Sequence, residues 1–469
     1  MNNTNQKLSL KEKISYGFGD LASVLYWQTF MLYFTYFYTD VFLIPASVAA
    51  TMFLVSRLWD GINDPLMGII ADRTTSRWGK FRPYLLWLCV PFAIAGVLTF
   101  TTPDFGMTGK IIWAYATFIL IMMLYTAINI PYTALMGVIS PSSIERTSVS
   151  SIKFLFAFAA GIIVSATLLP MTKYLGGGND AKGWQLTFVV YGIAAIVFFL
   201  IAFKGTRERV LPPKNQKPNI KKDLKELVTN KPWLILLATT ITFILFVAVR
   251  GSVTVHYFKY VIGSLDLTLP FLGAKTYDFI AIASAFNTVG QISALLGVLV
   301  VTIIAKHLGK KKTFMVFFII AIISTASFYF LTADQMGLIF FFQITGSFTG
   351  GPLSVLLWAM YADTADYAEW KKGRRATGLI FSASTMSQKF GWAFGAFLAL
   401  TLMSQLGFKP NEAQNAESLR GLLLLFSLIP AGLGVVSVLI SLAYPLNDKR
   451  VAKIELELTE RRKLDALES

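Results

Sequence analysis

The chain has 469 residues, 55% of them hydrophobic and only 14% charged, and its mean hydropathy is +0.59. Soluble domains carry about 25% charged residues, so a water-soluble globule is excluded. The net charge of +16 is divided among alternate polar loops and not gathered on one face, which argues against nucleic acid as a partner.

A helix needs about 20 apolar residues to cross a bilayer. Twelve such stretches can be marked, near 21–43, 48–71, 84–102, 111–138, 152–174, 184–203, 232–262, 279–305, 313–332, 337–362, 376–403 and 419–444. Lipid offers no partner to an open strand edge, so the expected fold class is an all-α membrane protein of twelve transmembrane helices. The polar start Met1-Asn2-Asn3-Thr4-Asn5-Gln6-Lys7 precedes a run long enough to span, so no cleavable signal peptide is expected.

The second stretch is the most informative. It reads Arg57-Leu58-Trp59-Asp60-Gly61-Ile62-Asn63-Asp64-Pro65 in a segment that is otherwise nearly all apolar. At 100° per residue, Arg57, Asp60, Gly61, Asp64 and Gly68 share one stripe, with Phe53, Leu54, Leu58, Met67 and Ile69 assigned to the other sides. Carboxylates at that depth cost a few to more than ten kcal/mol, depending on the scale, and persist only with partners or a function. Hard cations prefer oxygen ligands, so Asp60 and Asp64, with Asn63 as a further oxygen, form a candidate monovalent-cation site. The plainer reading is an ion pair of Arg57 with one of the two aspartates.

The third stretch holds the single cysteine, Cys89, which has no intramolecular partner and reads as an apolar filler. In the fourth, Tyr125-Thr126-Ala127-Ile128-Asn129-Ile130-Pro131, proline frees a carbonyl near Ala127. Thr126 and Asn129 offer neutral oxygens; polar glue at a packing kink is the alternative. Cations also fall within or near spans: Lys153, Arg250, Lys259 and Lys389. Lys389 needs a counter-charge, for which Asp60 and Asp64 are candidates, and the Arg250 fork suits a substrate carboxylate or hydroxyl. Each of these could equally be a structural counter-ion. Tyr26, Trp27, Tyr125, Tyr132 and Trp392 could stack on a sugar ring, although most such aromatics are packing or interface anchors.

At the end of the tenth stretch, Asp363, Asp366 and Glu369 oppose the helix dipole. They are expected to pair with basic loop residues such as Arg73, Arg77 or Arg146 as a cytoplasmic gate. Lysines and arginines crowd the N-terminus, the loops after the second, sixth, eighth and tenth stretches and the tail, while the intervening loops hold few. By the positive-inside rule both termini are cytoplasmic.

The proline-bearing basic stretch at 204–231 divides the chain. The expected organisation is a six-helix bundle at 1–203, a cytoplasmic linker at 204–231 with a short surface helix near 219–227, a second bundle at 232–445 and a tail at 446–469. Trp78-Gly79-Lys80-Phe81-Arg82 and Leu308-Gly309-Lys310-Lys311-Lys312 occupy matched places in the two halves, which suggests a parallel repeat. No G-x-x-x-x-G-K-[ST] phosphate loop and no H-E-x-x-H or G-x-S-x-G motif occurs, so neither ATP-driven transport within this chain nor an enzyme is indicated. No cofactor is expected beyond a coupling cation, Na+ or H+. A monomer is the default.

The strings Tyr16-Gly17-Phe18-Gly19-Asp20, Tyr38-Thr39-Asp40, the Arg57–Pro65 run, Arg77-Trp78-Gly79-Lys80-Phe81-Arg82-Pro83, Asn129-Ile130-Pro131-Tyr132, Asp363-Thr364-Ala365-Asp366-Tyr367 and Lys389 together resemble the glycoside–pentoside–hexuronide:cation symporters of the major facilitator superfamily. The resemblance implies two pseudo-symmetric six-helix bundles and alternating access around a central cavity. It implies a cation site at Asp60 and Asp64 with Asn63 nearby, Lys389 beside it and Thr385 lining it, and Tyr125 and Thr126 in the sugar and cation region. Melibiose-transporting members carry an aspartate where this chain has Asn129 and a tryptophan where it has Thr133. Their sugar-binding aspartate of the first span corresponds to Val24, with Asp20 one turn earlier, so melibiose specificity does not transfer. The Asn-Ile-Pro-Tyr form is nearer the pentoside and glucuronide branches, and Lys153, Lys259 and Arg250 make an acidic sugar a candidate. The expected function is cation-coupled symport of a sugar, glycoside, pentoside or hexuronide in a bacterial cytoplasmic membrane. The competing classes are an exporter of drugs or lipids and a non-transporting sugar sensor.

Overall fold

The computed structural model describes residues 7–140, 143–209, 228–269, 273–372 and 377–468; the surface helix expected near 219–227 lies outside them. All twelve expected spans are helical. The first is α1 (Leu10–Tyr36), continued by a π-helical turn at Phe37–Val41, and the second is α2 (Ala46–Arg73). The third is split into α3 (Arg82–Trp87) and α4 (Cys89–Thr99). Then come α5 (Met107–Val138), α6 (Ser143–Gly176), α7 (Asp180–Gly205) and α8 (Lys231–His256), the last continued by a π-helical turn at Tyr257–Ile262. The later spans are α9 (Phe279–Leu308), α10 (Lys310–Ser327), α11 (Met336–Lys372) and α12 (Thr377–Gln405), and the twelfth is split into α13 (Ala416–Phe426) and α14 (Leu428–Leu442).

The two splits share a cause. Leu88 and Ser427 each stand three residues before a proline, Pro91 and Pro430. Proline has no N–H to return to the carbonyl four residues back, and its ring crowds that carbonyl. Eight helices among the described residues combine the length and apolar character of a membrane crossing. Of the remaining helices, α1 holds Asp20, α2 holds Asp60 and Asp64, and α12 holds Lys389.

Two elements were not anticipated. The connection between α8 and α9 carries an antiparallel hairpin of β1 (Leu265–Leu269) and β2 (Gly273–Tyr277), with Leu265 opposite Tyr277. The tail forms α15 (Asp448–Glu468). Val451, Ile454 and Leu458 of α15 are buried in the core of the second half, and the Trp370 indole donates to Glu457 at 2.5 Å. The spacing of those apolar residues, at i, i+3 and i+7, was the sequence signal for this helix.

Contacts divide the chain into two units. The first comprises 1–215, 258–288 and 400–415, and the second 216–257, 289–399 and 416–469. The first unit is packed around aromatic rings. Phe34 lies 4.7 Å from Phe53 and 5.1 Å from Phe118, and Phe100 stacks on Phe188. The second is built on Trp233, Phe243, Phe314, Phe318 and Tyr361.

Segments 258–288 and 400–415 join the first unit through polar contacts. Asp40, on one π-helical turn, accepts from Lys259 at 2.7 Å and from the Tyr260 hydroxyl, both on the other π-helical turn. Asn411 accepts from Lys259 at 2.5 Å and donates to the Asp40 carbonyl at 2.7 Å. The Asp40 side chain is fully buried. Removing one partner of a buried pair leaves the other charge uncompensated, at about 3–5 kcal/mol. Asp40→Ala is therefore expected to lower the melting temperature in detergent clearly, and to do so far less when Lys259 is replaced by Met as well. Equal losses in the single and double variants would show that the pair is not coupled.

The matched glycine turns have matched surroundings. Gly79 has a φ of +107°, and the backbone N–H groups of Lys80, Phe81 and Arg82 donate to the Glu208 carboxylate at 2.7–2.9 Å. Gly309 has a φ of +85°, and the Lys310 N–H donates to Asp448 at 3.1 Å. In each half a carboxylate from just beyond the sixth span meets the helix start after the second, where the positive end of the dipole favours an anion. Only glycine takes that backbone conformation without strain.

Candidate functional site

Asp60 is buried on α2, with 1% of its surface exposed, and Asp64 follows one turn later, half-buried. The Thr126 hydroxyl, on α5, donates to Asp64 Oδ1 at 3.0 Å. Asn63 is half-buried, and its Nδ2 is buried without a hydrogen-bond partner among the described residues. Asn129 donates its Nδ2 to the Tyr125 carbonyl at 3.0 Å. The amide is thereby oriented, and its oxygen is the end that can meet an ion. The Thr126–Asp64 bond joins α2, which carries Asp60 and Asn63, to α5, which carries Asn129 about one turn after Thr126. The Arg57 side chain, one turn before Asp60, lies outside the described residues.

One assignment on α2 is corrected. Phe53 and Met67 are buried and lie on the Asp60 side, not among the other faces. Each is seven residues from Asp60, nearly two full turns, so all three project the same way. Ile69 is half exposed, as expected for the far side.

Next to this region Tyr125 stacks on Trp27, with centroids 5.5 Å apart. Asp20 on α1 lies 3.6 Å from Lys153 on α6. Tyr16 and Tyr132, not singled out as a pair from the sequence, exchange hydroxyl-to-carbonyl hydrogen bonds of 2.9 and 2.7 Å and stack at 4.6 Å. The Lys153 ammonium sits 5.9 Å from the Tyr132 ring centre. Tyr16 and Tyr132 are fully buried and bind α1 to α5, whereas Trp27 and Tyr125 are half-buried.

In the second unit Arg250 donates to Gln343 at 2.9 Å. Its guanidinium lies 4.8 and 4.9 Å from the ring centres of Phe328 and Phe426. Aromatic faces compensate a desolvated cation. Thr385 is exposed on α12, and Lys389 and Trp392 are half-buried; Trp392 packs on the core of its unit. Among the gate candidates, Asp363 pairs with Lys310 at 2.6 Å, a partner inside its own unit that loop composition alone did not single out. Asp366 and Glu369 are half-buried on the same helix. Arg77 is exposed, 4.2 Å from the Trp78 ring centre, and Arg146 donates to the Ser140 carbonyl at 2.8 Å.

The family model described as MFS/sugar transport protein matches residues 15–448. The chain belongs to this family. Inner membrane symporter YicJ of Escherichia coli K12 is 36% identical over 446 residues, covering 94% of this chain and 92% of the relative. The isoprimeverose transporter of Lactiplantibacillus pentosus is 34% identical, covering 95% and 91%. Among solved structures, a D-xylose-proton symporter aligns with a TM-score of 0.64 at 14% identity, covering 93% of this chain and 98% of that one. At that identity the likeness speaks for the fold alone: the MFS/sugar transport protein described here has the twelve-helix major facilitator fold.

Proposed function

We propose that this protein is a cation-coupled symporter that carries a sugar or glycoside through a bacterial cytoplasmic membrane by alternating access, with both termini in the cytoplasm. The observation that carries the reading is the Asp60–Asp64 turn, one carboxylate buried on α2 and the next held by Thr126 of α5. Family membership and the names of the relatives, among them a symporter and an isoprimeverose transporter, support the same reading and not the exporter or sensor alternatives.

The chemistry follows from charge. Two carboxylates one turn apart repel each other, and burial strengthens that repulsion. A monovalent cation supplies the missing charge and takes oxygen ligands from Asp60, Asp64, Thr126 and the Asn63 and Asn129 amides. A proton on one carboxylate relieves the same repulsion. Either way the cation-loaded state tightens the seam between α2 and α5, beside which Trp27, Tyr125, Asp20 and Lys153 would receive the sugar. Linkage is reciprocal, so the sugar must tighten cation binding by the factor with which the cation tightens sugar binding. Lys389, which resembles the coupling lysine of the family, would move its charge toward the carboxylates in the cation-free state. The gate role of Arg77, Arg146, Asp363, Asp366 and Glu369 belongs to the same cycle.

The deciding experiment is uptake of isoprimeverose, xylose and a glucuronide into proteoliposomes under imposed Na+, Li+ or H+ gradients. Accumulation against the sugar gradient under one of them is expected; none under any gradient would reject symport. Thr126→Val keeps the volume and removes one hydrogen bond to a carboxylate, which contributes about 1.5–3 kcal/mol. It is expected to raise the cation concentration for half-maximal stimulation about tenfold or more, with sugar affinity at saturating cation little changed. An unaltered cation dependence would place Thr126 outside the site.

A further inference from the structure

A second polar region lies in the second unit, apart from the carboxylate turn. A cavity of about 800 Å³ opens where α9 turns into α10, lined by Lys306, His307, Lys310, Lys312, Asp448 and Lys449. The loop is held from within. Lys310 is committed to Asp363 at 2.6 Å, and its N–H to Asp448. Lys311 donates to the carbonyls of Leu442 and Tyr444 at 2.9 and 2.6 Å. Lys306, Lys312 and Lys449 are exposed and form no ion pair or hydrogen bond among the described residues. The lining thus holds one acidic group and three uncommitted ammonium groups, so the cavity carries an excess of positive charge.

The repeat makes the difference plain. At the equivalent turn of the first unit, Glu208 takes three backbone N–H groups, and Arg82 is spent on the carbonyls of Trp78 and Phe203. The first-unit turn is basic too, with Arg77 and Lys80; in the second unit the lysines line a cavity.

An apolar surface lies next along α9. Leu296, Leu299 and Ile303 are 50%, 64% and 59% exposed, and at i, i+3 and i+7 they form one stripe of α9 that runs on to Lys306. Leu308 and Val355 on the rim are exposed as well. A hydrocarbon stripe ending in ammonium groups is the complement of an acyl chain ending in a phosphate. A basic pocket between membrane helices is a physical match for an anionic headgroup.

We propose that this cavity binds one anionic phospholipid, its phosphate among Lys306, Lys312 and Lys449 and an acyl chain along Leu296, Leu299 and Ile303. A free phosphate would use the same lysines but would gain nothing from the stripe. The site is independent of the symport reading, since none of its residues belongs to the carboxylate turn.

The test uses the full chain purified in nanodiscs of phosphatidylcholine alone or mixed with phosphatidylglycerol. Native mass spectrometry then counts the lipids that stay bound. One retained phosphatidylglycerol is expected, with its retention reduced about tenfold or more in Lys306→Gln/Lys312→Gln/Lys449→Gln, since each lysine near an anionic lipid surface contributes a severalfold factor. Lys173→Gln/Lys182→Gln, which removes lysines elsewhere, should leave retention unchanged. Ile303→Asn should weaken lipid retention too, whereas it would not disturb a free-phosphate site. Equal retention in the triple variant, equal retention of phosphatidylcholine, or displacement of the lipid by inorganic phosphate with Ile303→Asn silent would each overturn the proposal. If the triple variant is not monodisperse, Lys449→Gln alone carries the same comparison.

Discussion

Asp60→Asn and Asp64→Asn are each expected to abolish cation-driven accumulation of sugar, by about a hundredfold, the factor that about 2.7 kcal/mol represents. The change is isosteric and keeps an oxygen, so a loss reports the missing negative charge and not a cavity. A neutral amide cannot replace a carboxylate as the counter-charge of a cation in a poorly solvated region. The two variants should differ in a second readout. Asp64 is half-buried and already accepts from Thr126, so Asp64→Asn should fold normally and still bind sugar when no gradient is imposed. Asp60 is almost fully buried, so Asp60→Asn should shift the melting temperature measurably, where Asp64→Asn should not. Sugar binding by calorimetry, with and without the cation, separates the roles: the parent should show a cation-dependent gain and both variants none. Asp266→Asn, on the exposed hairpin where Thr276 donates to it at 2.5 Å, is the control. Gradient-driven accumulation at parental levels in both variants would remove the carboxylates from the mechanism.

The second large effect lies in helix packing. A Cβ on Gly297 of α9 would stand 1.9 Å from the Phe348 carbonyl oxygen, and one on Gly183 of α7 would stand 2.0 Å from the Thr172 carbonyl oxygen. Both obstacles are backbone, so no rotamer change makes room and the helices must separate. Small residues at such crossings let helix backbones approach in membranes, where packing replaces the hydrophobic drive between helices. Overpacking costs about 1–3 kcal/mol even where side chains can yield. Gly297→Ala and Gly183→Ala are thus each expected to reduce the yield of monodisperse protein severalfold and to lower its melting temperature. Gly432→Ala, on α14 with nothing within 4 Å, should be neutral or slightly stabilising. If all three variants melt alike, the close approaches are not what holds these helices together.

Several features were legible because their signal is local. Apolar length marked all twelve spans, and the stripe of Asp60 and Asp64 marked α2 as the polar helix. Thr126, Asn129 and Pro131 marked the polar, kinked stretch within its neighbour α5. What stayed hidden depends on residues far apart in the chain: the Asp40–Lys259–Asn411 cluster joins residues 219 and 371 positions apart, and Lys310 reaches Asp363 across 53. The sides given to Phe53 and Met67 were misassigned through the helical angle itself, which the seven-residue step should have corrected.

By itself, then, the amino-acid order determined that this is a membrane protein of twelve helices and which of those helices carry charge into lipid, because hydropathy and helical period act over neighbours along one strand of chain. Only the tertiary structure decided which charges meet. It gave Thr126 to Asp64, Lys153 to Asp20 and Lys259 to Asp40, and it left Lys306, Lys312 and Lys449 around a cavity. A charge in a low-dielectric interior is governed by whatever lies within a few ångströms of it, and that company is fixed by how helices pack, not by where residues stand in the sequence.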